Sequence, residues 1–118
     1  MTTYLINQLR IPGGVPGEDG LSYLEQVEDT VRAYGGRWLA QGAVDVLEGA
    51  WPGLAVLLEF PSHADARNWY DSPEYERIRP LRTGSSISDM VLIDGVPADF
   101  TVAGFAREIR AMTGAGGG

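Results

Sequence analysis

The chain contains no cysteine and no lysine, and its only histidine is His63. Without cysteine, disulfide bonds, thiol nucleophiles and thiolate metal sites are excluded, and this composition agrees with a cytoplasmic protein. Without lysine, Schiff-base mechanisms are excluded. All nine cationic side chains are arginines. One histidine cannot supply a zinc or copper site that needs several imidazoles from one chain. The remaining reactive groups are carboxylates, guanidinium groups, phenols and the His63 ring.

The sequence also lacks any run of 18 apolar residues, the length that suggests a membrane-spanning helix. Its N-terminus has neither the basic start nor the apolar stretch of a secretory signal. The net charge of −7 disfavours nucleic acid and anionic lipid as partners, because both are negatively charged. No GxGxxG or GxxxxGK[ST] pattern is present, so nucleotide cofactors lack their usual phosphate loop. We expect a single-domain protein that binds no nucleic acid, membrane or cofactor.

Alternating apolar residues and turn signals predict the order β-α-β-β-α-β. The first helix is expected to begin with a capping box formed by Ser22 and Glu25, and to end at Gly35 and Gly36. Its predicted apolar face consists of Leu24, Val27, Val31 and Tyr34. The predicted strands are Tyr4–Ile11, Arg37–Gly42 continued by Val44–Glu48, the apolar central strand Leu54–Phe60, and Ile87–Val96.

The second helical region shows two start signals. Ser62 and Asp65 predict an N-cap for a short helix that ends at Tyr70. Ser72 followed by proline predicts a second start, since proline is favoured at the first helical position. Pro80 is expected to end or kink this segment.

Residues 97–118 form a separate extension of the predicted domain, residues 1–96. Asp99 is the predicted N-cap of a helix with an apolar stripe of Val102, Phe105, Ile109 and Met112. An isolated helix of this length is marginally stable in water, so we expect it to dock on another surface. The glycine-rich end, GAGGG, is expected to be a flexible tail.

The phrases YGGR, VLEG, EFPS, WYDSPEY and PLR follow one another between Tyr34 and Arg82. In this order they closely resemble the pattern of domain-of-unknown-function family 1330. The resemblance covers roughly residues 4–96 and implies a ferredoxin-like α+β fold. That fold has a four-stranded antiparallel sheet with two helices on one face, and its other face pairs with a second protomer in a dimeric α/β barrel. The chain departs from the family pattern at Ala40–Ala43, where a second basic residue and a glycine pair are usual, so a site with two cations is not expected.

Two charged residues are the first candidates for catalysis. Arg37, which follows the glycine pair, either holds a substrate oxyanion with its planar fork or forms a salt bridge with Glu48 or Glu59. Glu59 interrupts an apolar strand, so it is either a general acid–base or the paired partner of a cation. Tyr70, through its hydroxyl, is the third catalytic candidate.

Aromatic residues and a further arginine are the candidates for substrate binding. Aromatic walls with a few polar groups favour a planar ligand, although the same residues also fill cores and interfaces. The predicted substrate-binding residues are Trp38, Trp69, Tyr75 and Arg82. His63 is expected to be a surface residue, because it follows the Ser62 cap.

The resemblance leaves the reaction open, because the family has no agreed activity and a fold does not fix a function. Related dimeric α/β-barrel families include cofactor-free monooxygenases, isomerases and polyketide cyclases. We expect a small cofactor-independent enzyme that acts on a small organic molecule by acid–base chemistry, in secondary metabolism by analogy. A non-catalytic binding protein is the alternative, and a cofactor-free monooxygenase is the less favoured one. The two main readings differ in whether Arg37 and Glu59 converge on a cavity or pair with each other.

Overall fold

The computed structural model describes residues 1–117. Four antiparallel strands form one sheet in the order β2-β3-β1-β4. The strands are β1 (Thr3–Arg10), β2 (Arg37–Gly42), β3 (Leu54–Phe60) and β4 (Ile87–Asp94). The helices are α1 (Glu18–Arg32), α2 (His63–Tyr70), α3 (Pro73–Thr83) and α4 (Val102–Gly117). This is the predicted ferredoxin-like α+β order, with the second helical region divided into α2 and α3 and with α4 added.

The alternation of side chains gives the sheet two different faces. One row of paired residues on the inner face is Trp38, Leu58, Leu5 and Leu92. The next inner row is Gln41, Val56, Asn7 and Met90. Helices α1, α2 and α3 cover this face, and the core lies between them and the sheet. The outer face has no layer over it among the described residues. Its rows are Arg37, Glu59, Tyr4 and Ile93, then Ala40, Leu57, Ile6 and Val91.

The N-cap of helix α1 lies five residues before the predicted cap, Ser22. Gly17 is the N-cap, and the acids Glu18 and Asp19 in the first turn interact favourably with the helix dipole. Ser22 lies inside the helix, where its hydroxyl accepts from Gln26 at 3.0 Å. The buried face consists of Tyr23, Val27 and Val31, whereas Leu24 is exposed. The buried face therefore begins at Tyr23, and the prediction that it begins at Leu24 was wrong.

The end of α1 combines two glycines with different roles. Gly35 has a φ of +80°, the left-handed conformation that ends many helices. The amide of Gly35 donates to the Arg32 carbonyl, and that of Gly36 donates to the Val31 carbonyl. This is the bond pattern of a Schellman motif. Gly36 itself has no positive φ.

Other differences from the predicted elements have local causes. Residues 43–53 form no strand, because β2 pairs as far as Gly42 with Ala55 and β3 begins one residue before that partner. Pro80 neither ends nor visibly breaks α3, which continues to Thr83. Its missing amide frees only the carbonyl of Glu76, an exposed residue that water can reach. Ser62 and Ser72 cap α2 and α3 as predicted, with hydroxyls that accept from the Asp65 and Tyr75 amides.

Helix α4 is an addition that leaves the body of the domain. The backbone amide of Gly104 donates a hydrogen bond to the Thr101 hydroxyl at 3.0 Å. Thr101 rather than Asp99 therefore provides the N-cap. Among the described residues, α4 has no extended packing against any strand or other helix. The helix is described to Gly117, and Gly118 lies outside the described residues. The flexibility of the glycine-rich tail stays a prediction. None of the described helices is long and apolar enough to cross a membrane.

Candidate functional site

A partly open cavity lies between the inner face of the sheet and helices α1 and α3. Its volume is about 70 Å³, enough for several water molecules at roughly 10–15 Å³ each. Apolar side chains such as Leu5, Val27 and Leu58 form much of its wall. Its polar lining side chains are Asn7, Tyr23, Trp38, Gln41, Arg82, Ser85 and Ser86. Of the described residues, Arg82 is the only charged one in the lining.

Arg82 is a buried cation without a counter-ion among the described residues. The residue is 7% exposed, and no carboxylate of residues 1–117 forms an ion pair with it. Its side chain makes one hydrogen bond within this part of the chain, from Nε to the Tyr75 hydroxyl at 3.2 Å. Burial alone would lower its pKa, but the neighbouring Tyr75 and Tyr23 outweigh that effect, and the net pKa is raised. Arg82 therefore stays charged, with its terminal NH₂ groups available to an anion.

Tyr75 links Arg82 to a second hydroxyl at the cavity. The hydroxyl oxygens of Tyr23 and Tyr75 are 2.9 Å apart. Because the Tyr75 oxygen accepts from Arg82, its own proton can be donated to Tyr23, which leaves the Tyr23 proton for a ligand. Burial, together with the adjacent Tyr75, raises the pKa of Tyr23 far above its ordinary value. Tyr23 is thus a neutral hydrogen-bond donor and not a base.

Asn7 places an amide in the same cavity from the middle of the sheet. The residue is 4% exposed, and its Oδ1 atom is buried without a hydrogen-bond partner among the described residues. A buried polar atom in this state costs about 1–3 kcal/mol. Such a cost in a central strand is consistent with a group reserved for a ligand or for water.

The aromatic wall comes from strand β2 and helix α2. Trp38 and Trp69, two of the residues predicted to bind substrate, both line the cavity. The Trp38 indole donates to the Gln41 side chain at 2.8 Å, and the Trp69 indole donates to Thr30 at 3.0 Å. Trp69 is also part of the core, where its ring centroid lies 4.2 Å from that of Tyr75. Both rings are therefore held in fixed positions.

Arg37 and Glu59 lie away from this cavity, on the outer face of the sheet. They are opposite each other on strands β2 and β3, and the Arg37 Nε donates directly to the Glu59 carboxylate. The Arg37 side chain is 71% exposed, and that of Glu59 is 22% exposed. The geometry agrees with the salt-bridge alternative and gives no support to an oxyanion holder and a base that act together. Arg37 and Glu59 face away from the cavity because successive side chains of a strand point to opposite faces. Their neighbours Trp38 and Leu58 face the cavity.

The other predicted residues are distributed around the cavity rather than in it. Tyr75 is fully buried, and its hydroxyl contacts Arg82 and Tyr23. Tyr70 does not line this cavity; its ring lies under the guanidinium of Arg79, 4.8 Å from ring centroid to Cζ. Its catalytic role has no support from this placement. His63 is largely exposed and lies 3.6 Å from Asp94.

Sequence reasoning did not single out Asn7 or Tyr23. A signal for Asn7 exists, because it has the same parity as Leu5 and Leu9 in the first strand and thus faces the core. The signal for Tyr23 is its spacing of four residues from Val27, which lies four before Val31. Both signals depend on knowing which face each element buries.

The profile of the family described as "Domain of unknown function (DUF1330)" matches residues 2–96. The chain belongs to this family. The match ends at Val96, so the cavity lies wholly within the DUF1330 domain and α4 lies outside it. No curated protein matches the chain.

Solved structures support the fold of this DUF1330 chain. A protein of unknown function from Rhodopseudomonas palustris, RPA0582, has a TM-score of 0.63 and 16% identity, over 81% of this chain and 83% of that one. SnoaB, a cofactor-independent oxygenase from Streptomyces nogalater, has a TM-score of 0.56 and 12% identity, over 85% and 97%. A dimeric ferredoxin-like protein of unknown function from Jannaschia sp. CCS1 has a TM-score of 0.53 and 10% identity, over 80% and 100%. These identities establish similarity of fold alone.

Proposed function

We propose that this chain is a small cofactor-independent enzyme that binds an enolisable or phenolic organic molecule and stabilises its oxyanion. The observation that carries the proposal is Arg82, a buried cation that lines a cavity and has no counter-ion among the described residues. A charge in this position interacts strongly with an anion, because little water screens it. Asn7 and Tyr23 add polar groups on the same cavity.

The chemistry follows from the donors that surround the cavity. When a proton leaves the carbon next to a carbonyl group, or a phenolic oxygen, negative charge develops on the substrate oxygen. Arg82 and the Tyr23 hydroxyl would donate to that oxygen, and the bond from Arg82 to Tyr75 would polarise the hydroxyl pair. Asn7 would position a second polar group of the substrate.

Removal of the substrate proton is the step to which the protein contributes least. The described lining has no carboxylate and no imidazole, and Tyr23 stays protonated. The proton would therefore pass to water, which restricts the reaction to substrates that are already acidic. β-Dicarbonyl compounds and phenols meet this condition. A cavity of about 70 Å³ is smaller than the roughly 300–1,000 Å³ of typical ligand pockets, so it would hold the oxygen-bearing end of a molecule.

Two other functions use the same site. A non-catalytic binding protein for small organic anions is favoured by the lack of a base in the described lining. A cofactor-free oxygenase is supported by the fold that the chain shares with SnoaB, whose name describes that activity. In that reaction, the bound carbanion of an acidic substrate would react with dioxygen. A role in secondary metabolism, by analogy to the fold, belongs to the main proposal of an acid–base enzyme.

The partner in solution would be a second copy of the chain, joined through the outer face of the sheet. Val91 and Ile93, neighbours on that face along β4, are 57% and 54% exposed. Adjacent exposed apolar residues of this kind favour an interaction surface. The Jannaschia protein with the same fold is described as dimeric. The Arg37–Glu59 pair would then lie at the protomer contact.

The test uses 2,4-pentanedione, a small β-dicarbonyl whose enolate has its own ultraviolet absorption. We expect the wild-type protein to bind it and to lower the pH at which the enolate forms. Arg82→Met should abolish that shift, whereas Arg77→Gln, which removes an exposed arginine from the same helix, should preserve it. Unfolding curves of both variants show whether each remains folded. If the wild-type protein binds 2,4-pentanedione without changing the pH at which its enolate forms, oxyanion stabilisation is contradicted.

Deuterium exchange separates the enzyme from the binding protein. In D₂O, exchange at the central carbon of 2,4-pentanedione should accelerate with wild-type protein and return to the background rate with Arg82→Met. Binding and a lowered ionisation pH without faster exchange would identify a binding protein. Consumption of dioxygen alongside enolate loss, measured with an oxygen electrode, would identify the oxygenase.

A further inference from the structure

Helix α4 projects from the domain with an exposed apolar stripe. Val102, Phe105, Ile109 and Met112 are 74%, 51%, 44% and 77% exposed. Their spacing of three and four residues places them on one side of the helix. Arg107 and Arg110 lie on other sides, so the helix is amphipathic. A helix of this kind gains most of its stability from packing its apolar side, yet within the described chain that side has no extended contact.

The dimensions of the chain show how far this arm extends. The radius of gyration is 18.0 Å and the longest extent is 61 Å, compared with a radius of about 13–14 Å for a compact chain of this length. The accessible surface is 7845 Å², whereas a compact monomer of this mass exposes about 6,200 Å². The excess of about 1,600 Å² is roughly twice the area that one partner contributes to a standard protein interface.

Local contacts order the linker before α4. Within it, the Phe100 amide donates to the Pro97 carbonyl at 3.0 Å. The ring of Phe100 lies 6.3 Å from that of Phe105. The Thr101 cap then fixes the first turn of the helix. These contacts join the linker to the first turn of α4.

A partly apolar groove lies at the base of the arm. Tyr4, Ile93 and Val96 line an open groove of about 620 Å³, which we call the root groove. Tyr4 and Ile93 belong to the outer sheet face, and Val96 is 63% exposed. Apolar surface therefore continues from the sheet through the root groove to the arm. A self-complementary surface of this kind can be closed by a two-fold axis, on which each copy gives and receives the same element.

We propose that α4 is an arm exchanged between two copies of this chain, its apolar stripe seated in the root groove of the second copy. Each copy donates one arm and accepts one, so both apolar stripes and both grooves are covered. This contact is separate from the cavity that holds Arg82, and it extends the proposed sheet-face interface beyond the DUF1330 domain.

Cross-linking between differently tagged chains tests the exchange, since the natural chain has no cysteine to interfere. Full-length Ile109→Cys protein with a tag is mixed with untagged Val96→Cys protein and treated with a short bismaleimide. We expect a tagged–untagged product. The control, Arg107→Cys on another side of the helix, should give much less of it. A cross-link that forms only inside single chains of a Val96→Cys/Ile109→Cys variant would overturn the proposal, as would no cross-link at all.

The dissociation constant of the dimer gives an independent measurement on full-length protein. Replacing Phe105 and Ile109 with serine should weaken dimerisation about tenfold or more, because each loses an apolar contact. Replacing Arg107 and Arg110 with serine is the matched control and should leave the constant nearly unchanged. Equal dissociation constants for the two double variants, measured by analytical ultracentrifugation, would also overturn the arm exchange.

Discussion

At the residue scale, the fold strongly disfavours ionisation of Tyr23. Burial and the adjacent Tyr75 raise its pKa, so the folded state holds the proton more tightly than the unfolded chain does. The stabilisation is fully present below the unfolded pKa, about 10, and is lost as the pH rises above it. Its loss can reach about 1.4 kcal/mol per pH unit for one proton.

Tyr23→Phe should remove this part of the alkaline destabilisation. Below pH 9 we expect the variant to be less stable by about 1 kcal/mol, because it loses the hydroxyl bond to Tyr75. Above about pH 10 the difference should shrink and then reverse. Urea unfolding of both proteins from pH 7 to pH 11 provides the comparison. A difference that stays constant over this range would show that Tyr23 ionises equally in both states.

The same residues show how far the site could be predicted. Arg82, Trp38 and Trp69 were named from the sequence and line the cavity. Arg37 was named because it follows the glycine pair of the YGGR phrase, and Glu59 because it interrupts an apolar strand. The sequence does not say which face of a strand the helices cover. Asn7 is an uncharged polar residue in an otherwise ordinary strand, and its lack of a partner is visible only in three dimensions.

At the element scale, two glycines end α1, and replacing each of them should lower stability for a different reason. A Cβ at Gly36 would lie 2.6 Å from side-chain atoms of both Phe60 and Val31. Gly36→Ala should therefore cost about 1–3 kcal/mol through overpacking of the core. A Cβ at Gly35 would lie 2.8 Å from Pro61, and the positive φ adds about 1 kcal/mol of backbone strain.

A second substitution separates the two causes. Gly35→Asn should cost less than Gly35→Ala, because asparagine tolerates the left-handed conformation better. At Gly36, asparagine should cost at least as much as alanine, because the restriction there is space. Free energies of unfolding from denaturant curves distinguish these patterns. If asparagine relieved both sites equally, backbone conformation would be the cause at both.

The elements themselves were more predictable than the details of their ends. Strands and caps carry local signals, such as the Ser62 and Ser72 caps, and these were found where predicted. The start of α1 was missed because Gly17 caps through its backbone conformation without a side-chain bond. The strand predicted for Val44–Glu48 has suitable residues but no partner strand, and pairing is a property of the whole sheet.

At the scale of the whole molecule, the exposed outer face predicts association. Val91→Arg would place a charge on the edge strand β4 of that face and should convert the proposed dimer to a monomer at micromolar concentration, because a buried unpaired charge is costly. Glu25→Gln, at an exposed position of α1, also changes the net charge by +1 and should leave association intact. Light scattering measures both. A dimer that survives Val91→Arg would place the contact elsewhere.

The bulge in β2 has a consequence for how the chain can change over evolution. The pairing of β2 with β3 skips Leu39, so Trp38 and Gln41 both face the cavity, although they are three positions apart. Loss of Leu39 would leave Trp38, Ala40 and Gln41 in regular alternation with the same partners. A deletion at this one position is therefore neutral for the phase of the strand, whereas a deletion at a regularly paired position inverts every side chain beyond it. Lineages of this fold can gain or lose a residue here without rebuilding the cavity.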